Sequence, residues 1–289
     1  MADLVCENLN MTFTNPQTGG VVEALKDINF TLKKGELLSV LGPSGCGKTT
    51  LLNLIAGFLN PTSGSAALGG REIDGPGVER GMVFQQGALF EWLPVSKNVD
   101  FGLRMKSTDP AVSRELVEKW LNIVGLQGFG DTPTYQLSGG MQQRVAIAQA
   151  LIMEPQIILL DEPFGALDEA TREELQEMLL QFYEENKEAM AEGKKPPYTL
   201  IIVTHELNEA IRVGDRLVGL SQYWDWKADG HDRCPGATVV YDKPAPVFRA
   251  DERPDYELFA DIRREIRQVV YNPEGLQRRD EHVNLNPTS

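Results

Sequence analysis

Leu37-Leu38-Ser39-Val40-Leu41-Gly42-Pro43-Ser44-Gly45-Cys46-Gly47-Lys48-Thr49-Thr50 decides how this 289-residue chain is read. Leu37 to Leu41 is a short apolar run between a charged stretch and a Gly-Pro turn, which predicts a buried parallel strand. Gly42 to Thr49 fits G-x-x-x-x-G-K-[ST], and the apolar residues from Leu51 to Phe58 predict a helix behind it. The glycines let the backbone bend so that successive N–H groups face the β- and γ-phosphates of a nucleotide. Lys48 adds a positive charge, and the Thr49 hydroxyl can ligate Mg²⁺. The helix that follows favours an anion at its N-terminus.

The same grammar recurs at Gln156 to Leu160 before Asp161, and at Thr199 to Thr204 before His205. Buried strands that end in polar residues, each followed by a helical segment, predict a doubly wound α/β core with ligands at the strands' carboxyl ends. Pro110 to Val124 reads as an amphipathic helix, and Gly139 to Met153 as another opened by Ser138. Past residue 222 the pattern changes. Tyr223-Trp224-Asp225-Trp226 and the Gly230 to Gly236 turn cluster predict a hairpin or loop. Phe259, Ile262, Ile266, Val269 and Val270 mark one face of a helix over 257–271, with Arg263, Arg264 and Arg267 elsewhere on it. From Asn272 the polar, aperiodic sequence predicts a frayed tail. The expected organisation is a nucleotide-binding core from 1–87 and 155–222, a helical subdomain from 88–154, and a C-terminal extension from 223–289.

Forty-two acidic against 28 basic residues leave a net charge of −14, which argues against a nucleic-acid partner. A nest of backbone N–H groups can still hold a nucleotide on an acidic protein. Apolar residues at 42% exclude global disorder. Cys6, Cys46 and Cys234 do not suggest a disulfide framework, and a reducing cytosol is expected. No signal peptide is expected from Met-Ala-Asp-Leu-Val-Cys-Glu. The longest apolar runs fall far short of the roughly 20 residues that span a bilayer.

Asp161, at the end of a buried strand, suits magnesium binding through water. Glu162 beside it suits polarising the attacking water. Leu137-Ser138-Gly139-Gly140-Met141-Gln142-Gln143-Arg144 is a serine cap with two glycines at a helix start, a second phosphate site. Two γ-phosphate cradles but one nucleotide pocket suggest two chains clasping nucleotide between them.

On these strings residues 1–222 resemble the ATP-binding cassette ATPases. Gly42 to Thr49 is similar to the Walker A loop, Ile157 to Asp161 to the Walker B strand, and Leu137 to Arg144 to the cassette signature. Gln85 resembles the Q-loop glutamine, Ala166-Leu167-Asp168 the D-loop, and His205 the switch histidine.

The resemblance implies a RecA-like P-loop ATPase core with an antiparallel β subdomain, an inserted helical subdomain and a C-terminal extension. It implies ATP and Mg²⁺, with Thr49, Gln85 and Asp161 at the metal and Glu162 and His205 as catalytic residues. Nucleotide contacts fall to Gly42, Pro43, Ser44, Gly45, Cys46, Gly47, Lys48, Thr49 and Thr50, with Phe13 stacked on adenine. Ser138, Gly139, Gly140 and Gln143 face the nucleotide of the opposite chain, and Asp168 crosses the dimer interface.

Gly75-Pro76-Gly77, Arg80 to Gln85, Leu89 to Trp92 and Asn98-Val99 are similar to the importer branch serving nitrate, sulfonate and taurine. Implied partners are membrane permease subunits, a second copy or homologous ATPase, and indirectly a periplasmic or extracellular solute-binding protein. The implied location is the cytoplasmic face of the membrane. The rival is a soluble cassette ATPase such as an iron–sulfur assembly factor. A P-loop GTPase or kinase would lack the signature, and Asn186-Lys187-Glu188-Ala189 does not complete a base-reading Asn-Lys-x-Asp.

Cys46 reads as a small residue that fits its loop, and a thiol reagent is expected to block nucleotide binding there. His231-Asp232-Arg233-Cys234 falls short of a four-ligand metal site and reads as a loop. The 257–271 helix is expected to pack on its own domain. Phe90 and Trp92 are expected to form a groove for a short helix of the membrane subunit.

Overall fold

The computed structural model describes residues 3–17, 19–85, 88–165, 167–246, 256–276, 278 and 281–283. Strands β1 (Leu4–Thr14) and β2 (Val21–Leu32) pair antiparallel. With β3 (Leu37–Leu41) the chain enters a second sheet, and α1 (Lys48–Ala56) follows the glycine-rich loop. The strands β4 (Ser63–Leu68) and β5 (Arg71–Glu72) return to the first sheet, whose order is β2-β1-β4-β5. Next come β6 (Arg80–Val83) and a helical stretch of α2 (Val95–Val99), α3 (Phe101–Met105), α4 (Pro110–Ile123) and α5 (Gly139–Leu151). The chain re-enters the second sheet as β7 (Ile157–Asp161), crosses over through α6 (Glu169–Ala191), and adds β8 (Leu200–Thr204), α7 (Leu207–Val213) and β9 (Arg216–Ser221). Last are β10 (Thr238–Pro244) and α8 (Tyr256–Val270). The second sheet runs β10-β9-β3-β8-β7-β6, all parallel except β10 on β9.

Side-chain alternation explains why the central strands are apolar at every position. Leu200 and Ile202 join the core under α5 and α6, whereas Ile201 and Val203 face α1 and the antiparallel sheet. Helix α1 therefore lies between the two sheets. A third cluster holds α7 and α8 against Leu41, Leu217, Val240 and Tyr241.

Buried polar side chains fix the joints. Asn186 of α6 donates to the carbonyls of Gly35 (3.0 Å) and Tyr198 (2.7 Å), and its Oδ1 accepts from the Tyr198 amide (2.9 Å). Its role is to seat α6 beside the start of β8. Arg216 makes a two-pronged pair with Asp242 (2.7 Å each) that ties β9 to β10.

The boundary expected at residue 222 falls between two paired strands of one sheet. Tyr223 to Ala237 is the connecting loop, with Trp224 buried and its indole N–H donating to the Gly236 carbonyl at 3.1 Å. β10 extends the core sheet beyond that boundary.

Asp215, before β9, accepts a hydrogen bond from the Leu37 amide (3.1 Å). Burial, reinforced by nearby Glu36, pushes its carboxyl up to about 7. The folded chain thus holds a proton that the unfolded chain has released, and stability falls as pH rises from about 4 to about 7. The loss from this group approaches about 1.4 kcal/mol per pH unit in the middle of that window. Asp215→Asn should flatten that slope in urea melts run at several pH values. An unchanged slope would assign it to other groups.

Candidate functional site

The strands β3, β7 and β8 stop in register. Leu41 pairs with Thr204, and Asp161 with Val203, so the next residues of each chain leave from one sheet edge. From β3 comes the phosphate loop. Gly47 caps α1 at φ 93°, and a Cβ there would press on Leu25, so only glycine fits. No side chain caps α1, which leaves its first N–H groups for an anion. The Lys48 ammonium is buried and donates to the carbonyls of Gly42 (2.8 Å) and Pro43 (3.0 Å), which curls the loop around it. Ser44 and Gly45 are exposed at the tip, with Thr50 half-buried on α1.

Thr49 Oγ1 donates to Asp161 Oδ1 at 3.3 Å. A hydroxyl and a carboxylate so close are the hard oxygen donors a divalent cation takes. Burial raises the Asp161 pKa, and the Thr49 hydrogen bond and the Lys48 charge oppose that rise.

Glu162 adopts φ 45°, a left-handed conformation costly for a residue with a Cβ, while its amide donates to the Val203 carbonyl at 2.8 Å. The kink turns its carboxylate away from the strand. Gln85 Nε2 donates to Glu162 Oε2 at 2.6 Å, and His205 Nδ1 lies 3.1 Å from Oε1. Gln85, expected at the metal, bonds here to the second carboxylate.

On the helical side, Ser138 caps α5 by accepting from the Met141 amide at 3.3 Å. Asp168 caps α6, accepting from the Thr171 amide (3.1 Å) and hydroxyl (2.7 Å). Those bonds hold its pKa below the ordinary value. Thr171 also joins the two caps, because a Cβ on Gly140 would overlap its methyl. The second glycine of the signature is thus a close-approach residue, which sequence could not show without the packing of α5 on α6.

Comparison with known proteins follows the same outline. The ABC transporter family profile matches residues 25–165. The taurine import ATP-binding protein TauB of Pelagibacter ubique is 65% identical over 217 residues, covering 75% of this chain and 78% of that protein. The protein of the same name from Roseobacter denitrificans is 45% identical over 285 residues, covering 99% and 94%. This chain belongs to the ABC transporter family. It is an ATP-hydrolysing cassette. Among solved structures, the dimeric post-hydrolysis ATP-binding cassette MJ0796 bound to ADP and Pi matches with a TM-score of 0.67 at 29% identity, over 85% of this chain and all of that one. The cbiO1 protein of Clostridium perfringens, part of the cbiONQ complex, matches with a TM-score of 0.68 at 28% identity, over 91% and 94%.

The remaining residues singled out in the sequence differ in exposure. Gln143 is 6% exposed on the inner face of α5, so this helix presents Ser138 and Gly139 and keeps Gln143 inside. Phe13 stands exposed on β1 opposite Val22. Ala166 lies outside the described residues, whereas Asp168 is exposed. Phe90 packs on Phe101 (4.3 Å between rings), and Trp92 is 78% exposed. Asn98 holds their loop by accepting from the Phe90 amide at 2.7 Å and donating to the carbonyls of Phe90, Leu93 and Pro94. An apolar cavity of about 240 Å³ next to Phe84 is lined by residues such as Val78, Met82, Phe84, Ala88 and Met153.

Cys46 is 2% exposed, and burial raises its thiol pKa against the nearby Lys48 charge. The thiolate is the reactive form, so burial slows reaction with thiol reagents at this site. Native alkylation with iodoacetamide, followed by mass spectrometry, should modify half-buried Cys234 first. Cys46 and Cys6, the latter pushed up to about 12, should lag. Equal rates at Cys46 and Cys234 would contradict the burial argument.

Proposed function

We propose that this chain powers import of taurine, working as one of a pair of cassettes beneath a membrane permease. Two relatives named as taurine import ATP-binding proteins, one of them matched over 94% of its length, support the cargo. The same names favour a transporter over a soluble iron–sulfur assembly factor. Among the described residues no helix is long and apolar enough to cross a membrane, so the proposed attachment is peripheral, on the cytoplasmic face, through the permease. A solute-binding protein outside the membrane would deliver taurine, and no nucleic acid takes part. Division into a core of 1–87 and 155–222, a helical subdomain of 88–154 and an extension of 223–289 is proposed as the functional partition.

The observation that carries the mechanism is Glu162 held between Gln85 and His205. In this reading Glu162 takes a proton from the attacking water, and His205 orients that carboxylate and meets the γ-phosphate. Lys48 and the amides from Gly42 to Thr50 hold the phosphates, and Phe13 stacks on adenine. Thr49 and Asp161 would hold Mg²⁺, which neutralises charge on the phosphates when bound. Gln85 bonds to Glu162 and directly follows Phe84, which lines the apolar cavity, so a permease docked in that cavity would bear on the catalytic carboxylate through Gln85. Ser138, Gly139 and Gly140 would close on the nucleotide of the second copy, with Asp168 at the seam.

Glu162→Gln should keep ATP binding and lower turnover at least about 100-fold, leaving an ATP-loaded dimer visible by size-exclusion chromatography. Normal turnover would remove Glu162 from the chemistry. Affinity capture of the tagged chain from detergent-solubilised membranes should recover a polytopic subunit in stoichiometric amount. Vesicles carrying that complex and its solute-binding protein should accumulate labelled taurine with ATP. Recovery with soluble partners alone, or no taurine uptake, would overturn the proposal.

A further inference from the structure

We infer that Tyr271, just past α8, is a positioning residue for His205, so that the C-terminal helix sets the geometry of the ATP site. The inference rests on the reading of His205 given above. Helix α8 is fixed with little freedom. Ile266, Val269 and Val270 are at most 3% exposed, buried with Leu217, Trp224 and Tyr241. The buried Ser221 hydroxyl, at the end of β9, donates to the Val270 carbonyl at 2.7 Å. Gly219 has no Cβ where a Val270 methyl sits. The chain therefore leaves α8 at a defined point, one residue before Tyr271.

From there the phenol reaches the phosphate end of the core. Its O–H donates to the His205 backbone carbonyl at 3.4 Å, and the oxygen faces the backbone amide of Gly42 and the Cys46 thiol. One hydroxyl thus spans the first glycine of the phosphate loop and the residue whose imidazole stands 3.1 Å from Glu162. Burial raises the phenol's pKa, which keeps the group a donor.

The latch matters because the neighbouring space is open. A surface cavity of about 470 Å³ separates α8 from the start of α7, with His205 and Glu206 on one side and Arg263, Arg267 and Tyr271 on the other. On that side His205 has room to move, and the Tyr271 bond crosses the gap. Misplacing a catalytic group by about 1 Å can cost up to about 100-fold in rate, so a single tether can register in kcat.

The test compares the full chain with Tyr271→Phe, which keeps the ring and loses the donor, and with His205→Ala in the same ATPase assay. Tyr271→Phe should lower kcat about fivefold, the worth of one neutral hydrogen bond, with KM for ATP within about twofold. Its thermal midpoint should stay within about 2 °C of the parent. His205→Ala should abolish most turnover. If His205→Ala is inactive while Tyr271→Phe keeps full kcat, the positioning role is overturned and the reading of His205 stands. A parallel fall of kcat, ATP affinity and thermal midpoint in Tyr271→Phe would also overturn it, as a packing defect. Full activity in His205→Ala would remove the reading of His205 and this inference with it.

Discussion

The hydrogen-bond ladder joining β3 to β8 and β8 to β7 is the constraint on which the rest of the site depends. Because Leu41 pairs with Thr204 and Asp161 with Val203, the phosphate loop, His205 and Glu162 leave the sheet along one line. A register slip of one residue would turn every side chain in a strand to the other face, and the fitted packing of α1 on one side and of α5 and α6 on the other opposes it. Energy from the two cores above and below the sheet is thereby converted into positional accuracy at its edge. Loops carry the chemistry, and the strands decide where the loops begin.

Adjacent carboxylates at that edge do different work because their backbones differ. Asp161 continues the strand and points at Thr49, whereas Glu162 turns at positive φ toward Gln85 and His205. The strained conformation at Glu162 is held by the hydrogen bond its backbone N–H donates to the Val203 carbonyl. One chain of net charge −14 can bind a polyphosphate because the buried Lys48 and the free amides of α1 act at contact distance. Long-range repulsion from the acidic surface is screened beyond about 8–10 Å.

Much of this was legible in the sequence where the signal is local. Leu37–Leu41 forms β3 at those residues, and the other two buried strands lie within one residue of the apolar runs that predicted them. Ser138 caps its helix as read, and α8 begins one residue early, at Tyr256. The first helix starts at Lys48 and ends at Ala56, because Gly57 takes a left-handed cap. What sequence concealed depends on contacts between distant segments. Pairing of β10 with β9 is a long-range choice, invisible to periodicity. Gln143 sits in a motif yet faces inward because α5 is buried on several sides. Tyr271 carried no motif at all, and only the docking of α8 brings it to His205. Of the apolar pair after Gln85, Phe90 packs on Phe101 while Trp92 stays exposed, a division set by the loop conformation that Asn98 holds.

The central claim is that each ATP is held by the phosphate loop of one chain and the signature serine of another. Mixing two variants tests it. Lys48→Ala and Ser138→Arg should each be inactive alone. Equal mixing with exchange of subunits should restore turnover, up to roughly a quarter of the parent's, because half the dimers are mixed and each keeps one intact site. An ATPase assay on the mixture that shows no recovery over either variant alone, with exchange verified, would contradict the shared site.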